Sequence, residues 1–304
     1  MDLSPFVLEN ECLRLVVNPQ RGGRIDSFLE KSSGKDWVWH PAGYFPGQQR
    51  SLPLGANFDD NWEGGWDDIF PSDAPGVHEG RTMYDHGELW SGPWETVTAT
   101  HDKAVLRRTC QAVPVEVEKT VELVPHEARL LMRHKFRNLS AEYVPFLFKL
   151  HPALVIEPGD QILMPDCELE PVSLDFSTLA GRMEKSPFPY VVASDGDRRR
   201  IDEIAAPHTG AREFLYAQNL SAGWCALRNA RTQSRLTFIF HRHEFPFVWI
   251  FESFTGFKGH YVVMLEPCTN VPYDLEQAQQ RGRCSELPPY GLRFFATEVV
   301  ITRD

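Results

Sequence analysis

Residues 115 to 123 read Val-Glu-Val-Glu-Lys-Thr-Val-Glu-Leu, with Val115, Val117, Val121 and Leu123 on odd positions and Glu116, Glu118 and Glu122 between them. Successive side chains of an extended chain point to opposite faces, so a period of two predicts a strand with one face packed and the other in water. Similar runs recur at 13–17, 129–136, 144–150, 224–227, 236–240, 247–251, 261–265 and 292–301, separated by Gly, Pro, Asn or Asp. This spacing predicts an all-β chain built as an antiparallel sandwich. A parallel, doubly wound sheet would need helical patterns between strands, and the intervening segments are too polar, too Pro-rich or too short to supply them. One short helix is expected at 275–281, where Asp274 offers an N-cap oxygen, Gln277 stands three residues on, and Gly282 follows.

The chain has 304 residues, enough for two average domains, but all-β sandwiches reach about 250 residues as one unit. With no internal repeat, low-complexity tract or linker, the expectation is a single domain over 1–304. Residues 40 to 95 break the strand pattern and are rich in Gly, Pro, Trp, Asp and His. Exposing Trp62, Trp66, Trp90 and Trp94 would forfeit about 1.5 kcal/mol or more each, so this stretch is expected to be ordered and to lie beside a cleft.

Charge narrows the partners. The formal net charge is −11, which argues against binding the phosphate backbone of nucleic acid. The basic run Arg198 to Arg200 is flanked by Asp195, Asp197 and Asp202 and reads as a solvated loop. The amino terminus lacks a positive segment followed by an apolar core, and no stretch approaches the roughly 18 apolar residues of a membrane span. Six cysteines without CxxC spacing imply reduced thiols rather than a zinc knot or disulfide framework. A cytoplasmic protein with no membrane partner is expected, with oligomeric state left open.

No GxGxxG, GxxxxGK[ST] or GxSxG motif occurs, which lowers the case for dinucleotide redox chemistry, phosphoryl transfer and serine hydrolysis. His241-Arg-His243-Glu244 lacks a clear third ligand and reads as a polar turn before Phe245-Pro246, so no metal is expected. Three segments concentrate groups suited to sugars: Gly65-Trp-Asp-Asp-Ile-Phe-Pro71, Asp85-His-Gly-Glu-Leu-Trp90, and Lys149-Leu-His151-Pro152 together with Leu265-Glu-Pro-Cys-Thr269. Aromatic faces stack on the C–H faces of a sugar while carboxylates and imidazoles take its hydroxyls. His151 and Glu266 each follow an apolar run and precede a proline, which predicts an ionisable side chain at a strand terminus. Residue physics alone leaves His151 open between a working residue and a core histidine, and Glu266 open between a general base and a rim carboxylate.

These segments, in this order, resemble the galactose mutarotase (aldose 1-epimerase) family in a divergent form. Asn18-Pro-Gln-Arg-Gly-Gly-Arg-Ile25 with Ser27-Phe28 and Ser33-Gly-Lys35 is similar to the family's opening glycine turn and hairpin. Asn138, Pro145-Phe146 and His151-Pro152 resemble its central progression, and Pro246, Trp249, Glu266-Pro-Cys-Thr269 and Leu287-Pro-Pro289 its closing segments. The resemblance implies a large antiparallel β-supersandwich and an isomerase that interconverts the α and β anomers of an aldose without metal or organic cofactor. By motif, Glu266 would be the general base, His151 the general acid and His86 a second histidine near the ring oxygen. Trp66, Asp67 and Trp249 are expected to stack on the sugar or bind its hydroxyls. Two rival functions use the same residues: a sugar-binding protein without turnover, and a glycoside hydrolase using Asp67 and Glu266.

Overall fold

A computed structural model describes residues 3–46 and 52–303; residues 47–51 of the irregular 40–95 stretch lie outside the described residues. The described chain is almost wholly antiparallel strand, with two short α-helices, Phe58–Asn61 and Leu275–Gln280, and one 3-10 turn, Pro207–Thr209. It divides into two compact units, the first formed by residues 1–151 and 269–298 and the second by 152–268 and 299–304.

In the first unit the strand Val115–Leu123 alternates buried and half-buried residues along its whole length. Its outer glutamates meet cations across both neighbours, Glu116 facing Arg137, Glu118 facing Lys135 and Arg107, and Glu122 facing Lys103. The inner series contains one residue that is not apolar. Lys119 is fully buried, places its Nζ 2.8 Å from Asp68 Oδ2, and donates to the Gly23 carbonyl. His134, opposite Lys119 on Arg129–Asn138, brings its Nε2 to 3.0 Å from the same oxygen. Asp68 comes from Trp66–Ile69, a strand of the other sheet, so the triad joins the two layers of this unit. Around it pack Phe70, Phe136, Phe146, Phe148 and Phe295, with ring centroids as close as 4.8 Å. Trp62, Trp66, Trp90 and Trp94 are all buried, so the irregular stretch is ordered where it is described.

In the second unit the strands run in the order Glu168–Pro171, Arg212–Gln218, Phe247–Phe254, Tyr261–Cys268, with Gln161–Leu163, Trp224–Arg228 and Ser234–Phe240 in the other sheet. Arg198–Arg200 is a strand of a small hairpin paired with Tyr190–Val192, not a loop. Its charges are answered by ion pairs from Arg199 to Asp195 and from Arg200 to Asp202. His241 to Glu244 forms the expected polar turn, closed by N–H groups of Glu244 and Phe245 on the His241 carbonyl.

Three strand expectations need correction. The run 144–150 is two strands, Val144–Phe146 and Lys149–Leu154, pairing with different partners. Neither proline ends its strand: Lys149–Leu154 passes through Pro152, and Tyr261–Cys268 passes through Pro267, which faces Val248. A strand tolerates a missing N–H where flanking pairs hold the register, so His151 and Glu266 are internal strand residues rather than terminal ones. The helix Leu275–Gln280 matches its expected start, with the Asp274 side chain accepting from the Gln277 N–H.

Burial pushes the Asp68 carboxyl up, but Lys119 and His134 outweigh it and bring it down to about 2. An unfolded aspartate titrates near 4, so the ionised triad stabilises the fold fully above about pH 4 and that contribution is lost as pH falls toward 2. Asp68→Asn strands a buried ammonium and is expected to cost about 3–5 kcal/mol in urea unfolding at pH 7, with a much smaller loss at pH 2.5.

Candidate active site

The first unit gathers an imidazole pair on an aromatic frame. The helix Phe58–Asn61 starts at Asn57, whose side chain accepts from the Asp60 N–H, and the Phe58 N–H donates to Asp85 Oδ2 at 2.7 Å. The other Asp85 oxygen lies 2.8 Å from His86 Nδ1. Burial raises the Asp85 carboxyl, yet the His86 hydrogen bond and charge more than offset this, leaving it below its ordinary value. An ionised carboxylate only accepts, so His86 Nδ1 carries the proton and Nε2 is the atom left to act on a ligand.

His86 occupies the left-handed region at φ +54°, a conformation that costs a residue with a Cβ about 1 kcal/mol. It is over-determined there. Its N–H donates to the Asp73 carbonyl, its ring stacks on Phe58 at 3.8 Å and 10°, and Gly87 follows at φ +66°. A Cβ on Gly87 would come within 2.1 Å of the Phe70 carbonyl oxygen, so this close approach admits only glycine.

His151 meets this frame edge-on, with ring centroids 5.6 Å from His86, 5.2 Å from Phe58 and 6.1 Å from Trp62. Trp90 packs against Phe58 at 4.8 Å and donates its Nε1–H to the Asp85 carbonyl. Beside the two imidazoles, Lys149 Nζ is 2.8 Å from Asp73 Oδ1, which is 3.8 Å from His86 Nε2. Burial first, then Lys149 and His86, hold the His151 imidazolium well below its ordinary range. His151 is therefore neutral at pH 7 in the resting protein. His86 keeps 19% of its side chain in solvent whereas His151 keeps 2%, so His86 is the more accessible of the pair.

Trp66 and Asp67 occupy opposite faces of one strand, as alternation requires. Trp66 shares the face of Asp68 and lies in the core, 1% exposed. Asp67 points the other way, where burial pushes its carboxyl up to about 7 against the pull of Arg24 and Arg21. Arg24 is itself tied to Asp26 at 2.5 Å and Arg21 to Glu63 at 3.5 Å. Sequence reading used these two arginines only as part of a glycine turn, and their burial is what it missed.

In the second unit Glu266 and Trp249 stand directly opposite each other, so their side chains share a face. Tyr216 pairs with Trp249 on its other side, at 5.0 Å between rings, and Phe214 lies 5.7 Å away. Glu266 and Trp249 are both buried. Phe58 and Asp73 carried no periodic or motif signal for their roles, whereas Asp85 stood in the Asp85-His-Gly-Glu-Leu-Trp90 segment read as suited to sugars. Among the described residues, no group of three or more His, Cys, Asp or Glu side chains is placed to hold a metal ion.

No family model and no curated protein sequence matches the chain. Solved structures do. A Synechocystis protein aligns over 100% of this chain and 97% of its own at TM-score 0.73 and 16% identity. A galactose mutarotase-like protein from Lactobacillus casei aligns over 98% and 100% at TM-score 0.63 and 15% identity. A galactose mutarotase related enzyme from Lactobacillus acidophilus aligns over 98% and 97% at TM-score 0.66 and 14% identity. The fold is that of the galactose mutarotase-like proteins. At this identity a galactose mutarotase-like fold carries architecture and not activity, so the chemistry has to come from the side chains.

Asp85→Asn offers an amide in place of the carboxylate that fixes the His86 tautomer. Imidazole 15N spectra are expected to move from a predominantly Nδ1–H form toward a mixture. The lost charged acceptor at the Phe58 N–H should cost about 1–3 kcal/mol in thermal unfolding.

Proposed function

We propose that this protein is an aldose 1-epimerase, interconverting the α and β anomers of a sugar by acid–base ring opening and closure. The observation that carries the reading is the His86–His151 pair on its Phe58–Trp62–Trp90 frame, with His86 held in a strained backbone and one tautomer by Asp85. Glu266 is the base that takes the anomeric hydroxyl proton, and His151 the acid that supplies the ring oxygen. His86 donates or accepts at Nε2 beside that oxygen, and Asp67 and Trp249 act on the hydroxyls and the apolar face. Trp66 is not retained in this set, since it shares the core face of its strand with Asp68. Residues 1–304 act as one catalytic domain in this reading, supported by solved structures that align along the whole chain. A small sugar is the only substrate required, with no cofactor, in a cytoplasmic setting.

The proton count sets the pH dependence. Ring opening moves one proton from the anomeric hydroxyl to the base and one from the acid to the ring oxygen, and closure reverses both. The pair must hold one proton between them, so its titration is a joint property of the two residues. Because burial, Lys149 and His86 disfavour the imidazolium, that proton is lost early as pH rises. kcat/KM should fall as pH is raised from the acid side toward neutrality, below the range in which an ordinary imidazole loses its proton.

Polarimetry of freshly dissolved α-aldoses, over a panel of neutral, acidic and phosphorylated sugars, tests the proposal. The protein is expected to accelerate mutarotation of at least one, and His151→Ala or Glu266→Gln to lower the rate at least about a hundredfold. Saturable sugar binding with no acceleration anywhere on the panel would leave a binding protein, and release of reducing sugar from a glycoside would leave a hydrolase.

A further inference from the structure

Arg108 sits where the strand Lys103–Thr109 should carry an apolar residue. That strand alternates, with Ala104, Leu106 and Arg108 on the buried side, and Arg108 is only 9% exposed. A guanidinium cannot shed its proton at any ordinary pH, so a buried one needs an anion or a full set of acceptors. Among the described residues, Nη1 has no hydrogen-bond partner and no carboxylate forms an ion pair with this side chain.

The buried Glu88 carboxylate attracts the Arg108 guanidinium through space but forms no ion pair with it. Glu88, fully buried, accepts the Gln111 N–H at 2.7 Å through one oxygen and the Ala112 N–H at 2.9 Å through the other. Glu95 is held by Arg107 at 3.0 and 3.3 Å through Nη2 and Nε. The Cys110 thiol is pushed well above its ordinary value by burial, with Glu88 adding, and is neutral. Arg108 instead lines a cavity of about 310 Å³, walled also by Trp94, Glu95, Arg107, Thr109 and Gln111. Its back is sealed by Gly92, where a Cβ would stand 2.3 Å from Nη1.

We propose that this cavity is a binding site for a small oxyanion, a phosphate or carboxylate group of a metabolite, with Arg108 as the charged contact. A buried arginine without an ion pair, beside a small cavity that Thr109 and Gln111 also line, is the kind of charged donor that such groups use. The site stands apart from the His86–His151 frame and does not rest on the epimerase reading.

Titration of the full chain with inorganic phosphate and, separately, acetate at constant ionic strength tests it, read by calorimetry and by the fluorescence of Trp94. One equivalent of at least one anion should bind saturably in the millimolar range or tighter. Arg108→Met should weaken that binding at least about tenfold and Arg108→Lys less, since an ammonium keeps the charge and loses the planar fork. Should Arg108→Met fail to fold, Gly92→Ala displaces the guanidinium while keeping its charge and must weaken binding too. No saturable binding of either anion to the wild-type chain below about 50 mM overturns the proposal, given that affinities weaker than this supply under about 2 kcal/mol. Binding that survives the Arg108 and Gly92 variants unchanged overturns it equally.

Discussion

The buried contact of Asp68 with Lys119 and His134 fixes the first unit, because a short strand has little else to set its register. Trp66–Ile69 has four residues, all buried, with carboxylates at two successive positions. A slip that put Ile69 in the place of Asp68 would leave Lys119 without its counter-ion. The ion pair penalises that slip by the cost of an unpaired charge in the core, which apolar packing alone would not do. The loop that carries the histidine follows from the same strand. Phe70 and Pro71, which continue it, accept from the Glu88 and Leu147 N–H groups, and so place both the His86 turn and the approach to His151.

Around His86 and His151 the protein combines rigidity with suppressed positive charge. Asp85 answers two donors, one at a helix start and one on an imidazole, and Asp73 answers Lys149 while lying close to the same imidazole. The lysine charge is thereby compensated, yet its proximity still discourages a proton on His151. An imidazole kept neutral among aromatic rings can exchange a proton rather than serve as a fixed cation, as the proposed epimerase reaction would require.

Much of the strand pattern was legible because burial on one face writes itself as alternation. Val115–Leu123 shows how far that goes and where it stops: the valines announce the inner face, while Lys119 on that face makes sense only beside Asp68, about 50 residues earlier. Proline was the misleading signal. Pro152 and Pro267 suggested ends, but a sheet supplies neighbours that hold an extended segment through a missing donor. Arg198 to Arg200 read as a solvated loop because charge was weighed and pairing was not; the flanking aspartates neutralise a hairpin strand instead.

What the sequence by itself determined is the all-β character, the short helix capped by Asp274, the ordering of the tryptophan-rich stretch, and the singling out of His86 and His151. Each follows from local spacing, capping chemistry or the cost of exposing large apolar surface, which neighbours in the chain already encode. What only the tertiary structure decided is which histidine is oriented, which aspartate faces the core, and which arginine is left without an ion pair. Those depend on charges and rings brought together from positions tens of residues apart, such as Phe58 on His86, Lys149 beside His151, and Glu88 spent on the backbone at Gln111 and Ala112 rather than on Arg108.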